Sequence, residues 1–165
     1  MKNLILKILT FCSVLMLSVS CEKEGDRYQV VQGNFPSGAL TADTKNIVLA
    51  DQNDLAHIIL LKWRNAEYGS PVAATYTVQV DLTDRTSGEA AWEKSISFAV
   101  NSDLEHLFNG GDFRSIIIPG LQIGKGITTN VSVRIKSDVK QYNGADLPIP
   151  SVYSDTFAFD LTYLK

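Results

Sequence analysis

Between Thr75 and Leu82 apolar and polar side chains alternate without a slip. Tyr76, Val78, Val80 and Leu82 fall on one side, and Thr75, Thr77, Gln79 and Asp81 on the other. Extended chain sends successive side chains to opposite faces, so this period of two predicts a strand with one buried and one wet face. Asn130 to Lys136 repeats it, with Val131, Val133 and Ile135 inward and Ser132, Arg134 and Lys136 outward. Ser95–Val100 groups Ile96, Phe98 and Val100, and Thr156–Tyr163 groups Phe157, Phe159, Leu161 and Tyr163. Asn46–Ala50 reads as a weaker strand. Two runs, Ile58–Leu61 before Trp63 and Ile116–Ile118 before Pro119, are apolar on both sides and predict strands covered on two faces. A short helix is predicted over Asp103–Phe108, with Ser102 as its N-cap and Gly110 beyond its end. The connections hold turn residues: Gly69-Ser70-Pro71, Asp84 to Gly88, Gly110-Gly111 and Asn143-Gly144. About seven short strands and no long helix predict an all-β fold, an antiparallel two-sheet sandwich.

The amino terminus reads differently. Lys2 and Lys7 precede an apolar run from Ile8 to Val19. Small residues follow at Ser18 and Ser20, then Cys21, then the acidic stretch Glu22-Lys23-Glu24-Gly25-Asp26. The run is about a dozen residues long, where spanning a bilayer takes roughly 20. A positive start, a short apolar run and small residues before a cut form a secretory signal. With a cysteine at the cut, the segment resembles a bacterial lipoprotein signal, which implies acylation of Cys21 and a mature chain fixed to membrane lipid. Glu22, Glu24 and Asp26 loosely resemble the surface-display cluster of lipoproteins of the Bacteroidetes type, and equally fit a solvated tether. The expected organisation is a signal over 1–20, a flexible tether over 21–39 carrying Gly25, Gly33, Pro36 and Gly38, and a sandwich domain over 40–165.

Loss of residues 1–20 with their two lysines takes the net charge from −3 to −5. The mature chain has no basic stripe, which argues against a nucleic-acid partner. The chain's 2 cysteines are Cys12, lost with the signal, and Cys21, used by lipid, so no disulfide is expected and stability must come from the core.

The order Leu60-Leu61-Lys62-Trp63, Ala66-Glu67-Tyr68-Gly69 and Ala74-Thr75-Tyr76-Thr77-Val78-Gln79-Val80-Asp81 resembles the amino-terminal domain of SusE-type outer-membrane lipoproteins. So do the expected helix over 102–109, the strand ending near Lys136 and the closing Ser151-Val152-Tyr153-Ser154-Asp155. The likeness spans most of 40–162. It implies an immunoglobulin-like (fibronectin III-like) β-sandwich with one short helix, held at the outer membrane by lipid. It further implies an accessory or scaffold in a starch-like polysaccharide uptake system, with the glycan transporter and companion surface lipoproteins as partners. Family members carry further domains that do most of the sugar binding, and the sequence stops at Lys165, so no sugar-binding residue is carried over.

Direct carbohydrate binding is the alternative. Sugar faces stack on aromatic rings beside polar groups, and three residues meet that description. Trp92 lies between the Asp84–Gly88 turn and the strand with Ile96, and fits core or rim as well as a platform. Tyr142 has Gln141, Asn143 and Asp146 beside it, and Tyr68 has Asn65 and Glu67; both also suit turn packing. Trp63, mid-strand with Ile59 and Leu61, is expected in the core. His57 and His106, the chain's 2 histidines, lack metal-ligand spacing. No serine sits in a nucleophile elbow, Asp51 and Asp54 read as a solvated loop pair, and Gly120–Gly126 departs from a phosphate loop. Neither an enzyme nor a cofactor is expected.

Overall fold

The computed structural model describes residues 31–50, 53–139 and 149–164. Nine strands occur among them: β1 Leu40–Ala42, β2 Asn46–Leu49, β3 His57–Trp63, β4 Ala74–Leu82, β5 Ile96–Asn101, β6 Glu105–Asn109, β7 Thr128–Val139, β8 Val152–Tyr153 and β9 Phe157–Tyr163. They form two sheets. The smaller has the order β1-β3-β6, and the larger β2-β9-β7-β4-β5, with β8 also paired to β7. The array β9-β7-β4-β5 facing β3-β6 is the strand arrangement of an immunoglobulin-like sandwich. One pairing departs from the antiparallel expectation: β2 runs parallel to β9, Ile47 opposite Leu161.

The alternating residues build the core as their period requires. Val78, Val80, Val131, Val133 and Ile135 from β4 and β7 meet Ile59, Leu61 and Trp63 from β3, all buried in one cluster. Each fully buried aliphatic side chain contributes about 1.5–3 kcal/mol over an exposed one. Trp63 belongs to that core and meets Tyr76 edge-on at 6.0 Å.

Two local expectations change places. Residues 105–109, expected in a helix, are strand β6, and Ile116–Ile118, expected in a strand, lie in a helix. The alternation explains the first: His106 and Phe108 turn inward while Glu105 and Leu107 face solvent, and the backbone pairs with β3. The helix α1, over 110–121, joins a turn Gly110–Asp112, a wider π turn Phe113–Ile117 and a last turn Ile118–Leu121. Phe113, Ile117, Ile118 and Leu121 are buried, a helical stripe that joins the core, with Phe113 against Phe108 of β6 and Phe159 of β9. Asn109 caps it reciprocally: its side chain accepts from Asp112 N–H at 3.0 Å, and Asp112 accepts from Asn109 N–H at 2.9 Å. Pro119 has no N–H to donate and would crowd the preceding turn of a regular helix, and the π turn falls just before it. Gln122 ends the helix in the left-handed region at φ 59°.

Residues 31–39, expected in the tether, already lie against the domain. Asn34 pairs with Glu67, Phe35 packs on Tyr76, Ala39 is buried, and Gly38 N–H donates to Asp155 at 2.8 Å.

Candidate functional site

The outer face of the larger sheet carries the side chains that period two excludes from the core, and most are paired with one another. Thr128 meets Thr162 at 2.7 Å, Asn130 donates to Asp160 at 2.9 Å, Ser132 meets Thr83 at 2.8 Å, and Lys136 bridges Asp138 at 2.9 Å. Arg134, in the middle of β7, is held differently. Its guanidinium carbon lies 4.4 Å from the Trp92 ring centroid and 4.0 Å from that of Tyr153. Its Nε donates to Gln79 Oε1, directly across on β4, at 2.8 Å. Partial burial lowers the Arg134 pKa from its ordinary value, the Tyr153 phenol acting in the opposite direction.

Both rings are placed by the backbone. β8 continues the edge of β7 beyond β9, pairing Tyr153 with Lys136, so Tyr153 projects on the outer face while Val152 turns inward. A Ser154 clamp fixes that segment: Ser154 N–H donates to Ile135 C=O and Ser154 Oγ accepts from Ile135 N–H, each at 2.9 Å. Trp92 arrives from the long turn 83–95, which folds back over the sheet. Its N–H donates to Arg85 C=O at 3.0 Å, and its backbone sits at φ 65°. A bulky residue in the left-handed region costs about 1–2 kcal/mol, so the ring's contacts must outweigh that strain. The same turn covers Asp81, which is fully buried, with Oδ1 accepting from Leu82 N–H at 2.8 Å and Oδ2 unpartnered among the described residues.

The aromatic candidates therefore separate. Trp92 is only 6% exposed, with one face on Arg134, and offers no ring face for a sugar to stack on. It is buried on the outside of the larger sheet, apart from the central core. Tyr68 is 2% exposed, its ring over Gly33 and its hydroxyl donating to Ser137 Oγ at 2.9 Å, so it too presents no platform. A cleft of about 710 Å³ beside it is lined by residues 65–74, Tyr68 among them, with Tyr76 and Ser102. Tyr142 and Cys21 lie outside the described residues, as does Asp51. Asp54 is tied to Arg114 Nε at 2.9 Å, and Gly120 and Gly126 flank a helix-to-strand turn. His57 meets Asp43 at 2.6 Å on the surface, while His106 packs inside between Phe98 and Phe108. The two histidines are not brought together, and among the described residues no group of three or more His, Cys, Asp or Glu gathers for a metal.

The aromatic that is exposed on this face is Tyr153, at 43%. Its parity in the closing strand could have marked it outward, as for Arg134, yet nothing local shows that a third element, the 83–95 turn, completes the stack. Arg134 and Tyr153 offer a guanidinium edge and, stacked against it, a partly exposed phenol ring, which is binding chemistry.

The two sheets and their strand order define the class of immunoglobulin-like β-sandwich modules. A model of the SusE outer membrane protein family matches residues 25–136, so the chain belongs to that family. Membership places it at the outer membrane and in Sus-type glycan uptake. Among the described residues no helix is long and apolar enough to cross a membrane. No curated protein matches the chain.

Proposed function

We propose that the protein is a non-enzymatic lipoprotein, fixed to the outer membrane through acylated Cys21, that serves as an accessory or scaffold of a Sus-type glycan uptake system. The observation that carries this reading is the family match running from residue 25 through strands β1 to β7. The lipoprotein-like segment before it supports the anchor. Ten residue steps separate Cys21 from Val31, whose N–H donates to Tyr68 C=O, and extended chain covers at most about 3.5 Å per step. The sandwich would then stand within roughly 35 Å of the lipid surface, close enough to touch a transporter embedded there.

Tagged protein recovered from solubilised outer membranes tests the reading. Cys21→Ser should release the protein from the membrane fraction, and the wild type should bring down a transporter or companion lipoprotein. A Cys21→Ser variant that stays on the membrane removes the anchor, and recovery of the wild type alone removes the scaffold role.

Direct glycan capture is the second reading, favoured by Tyr153, an exposed aromatic among hydrogen-bonding groups on the outer face.

A further inference from the structure

We infer that Arg134 and Tyr153 form a subsite for a carboxylate-bearing saccharide, a uronate unit of an acidic glycan, on the outer face of the larger sheet. The inference rests on the glycan-capture reading and names the ligand chemistry it would serve.

Three observations converge. The first is the unused edge of Arg134. Its Nε is taken by Gln79, while neither Nη atom hydrogen-bonds to a described residue, and no ion pair among the described residues includes Arg134. Neighbouring polar groups on this face satisfy one another: Lys136 is matched by Asp138, and Asn130 by Asp160. Among the described residues, a guanidinium fork without its carboxylate is therefore the open position in an otherwise closed pattern. Two parallel N–H donors match the two oxygens of a carboxylate, and such bidentate charged bonds are among the strongest polar contacts available.

The second is rigidity. An arginine usually gives up much rotamer freedom to hold a ligand. Here Trp92 and Tyr153 clamp the guanidinium on two sides, and Gln79 sets its rotation. The cost of ordering is met during folding, so binding keeps more of its interaction energy. Trp92 is held at φ 65°, an unfavourable conformation for so large a residue, to close that clamp.

The third is the neighbour. Tyr153 is 43% exposed beside the guanidinium, and a phenol ring next to a charged fork suits a pyranose bearing a carboxylate. A carboxylate on an acidic protein segment would satisfy the fork alone but would have no use for the ring.

Calorimetric titration of the full chain, purified from membranes in detergent, provides the test. The probes are a galacturonate trisaccharide, its methyl ester, the neutral maltotriose and a tri-glutamate peptide. The uronate should bind, and the methyl ester and maltotriose should bind at least about tenfold more weakly because they lack the charge the fork matches. Arg134→Lys keeps a cation but loses the fork, and Tyr153→Ala removes the ring; each should weaken the uronate by about tenfold while the circular dichroism spectrum and thermal midpoint show a folded domain. No uronate binding, equal binding of the ester, equal binding of tri-glutamate, or wild-type affinity in both variants overturns the proposal. Should Arg134→Lys not fold, Tyr153→Ala decides alone, since its exposed ring sits outside the core. Binding of maltotriose without preference for the uronate would leave glycan capture standing and remove this subsite, whereas binding of neither saccharide removes both, so the two failures are distinguishable.

Discussion

Tyr68 and Ser137 meet at one end of the sandwich, the phenol donating to the serine hydroxyl at 2.9 Å with both residues buried. Burial raises the Tyr68 pKa still further above neutral, so the phenol is protonated and donates. Tyr68→Phe should cost about 1–2 kcal/mol in urea unfolding, because it strands a buried hydroxyl. Adding Ser137→Ala should recover part of that loss, and a double-mutant cycle without coupling would remove the bond from the account.

Gly33 belongs to the same contact. A Cβ there would lie 2.4 Å from Tyr68 Cε1, so the buried ring would have to shift. Gly33→Ala should destabilise by about 1–3 kcal/mol and expose the preceding segment to protease. Wild-type resistance to limited proteolysis would show that residues 31–39 are not held to the domain through this ring.

Trp92 sets burial against strain. Trp92→Ala should destabilise by about 2–4 kcal/mol, since it removes a buried indole and one side of the Arg134 clamp. Trp92→Gly should be no worse than Trp92→Ala, because glycine adopts φ 65° without steric cost. A glycine variant clearly less stable than the alanine variant would show that the left-handed backbone carries no strain.

His106 ties stability to pH. Burial between Phe98 and Phe108 lowers its pKa from the ordinary 6.5, and the Asp112 carboxylate acts the other way by less. Above pH 6.5 the ring is neutral in both the folded and the unfolded chain. As pH falls below that, the unfolded chain takes up the proton first, so stability declines through the window between 6.5 and the lower native value. Urea midpoints should therefore fall from pH 7.5 to pH 5.5, less so in His106→Leu. Asp43 does not confuse the comparison. Desolvation raises its pKa, but Leu60 N–H and His57 outweigh this and hold it below 3.8, so its contribution is lost only at more acid pH.

Asn109 tests the start of α1. Asn109→Ala removes one half of the reciprocal cap and should cost about 1 kcal/mol, while Asn109→Ser should cost less. Equal stability of the alanine variant and the wild type would show that the cap contributes nothing.

The sandwich was legible where one strand's alternation is decided by one buried face. β4, β5, β7 and β9 follow their patterns closely, and Trp63 lies in the core. The exchange between β6 and α1 has a shared cause: His106-Leu107-Phe108 and Ile116-Ile117-Ile118 are short apolar runs whose period cannot separate strand from helix. β3 offers the 105–109 segment a partner edge, and the core offers Phe113 and Leu121 a place. The burial of Trp92 and Tyr68 was hidden from the sequence in a similar way. Exposure of Trp92 and Tyr68 depends on what folds over them, a turn from 83–95 in one case and residues 31–39 in the other.

By itself, then, the order of residues determined a two-sheet β-module preceded by a lipoprotein-like leader, because period two and a short apolar run act within a few residues of chain. Only the tertiary structure decided that Arg134 stands clamped between two rings, its Nη edge unpaired among the described residues. Trp92, Arg134 and Tyr153 are distant in sequence, and their meeting depends on the path of a turn and the register of β8, which no local pattern encodes.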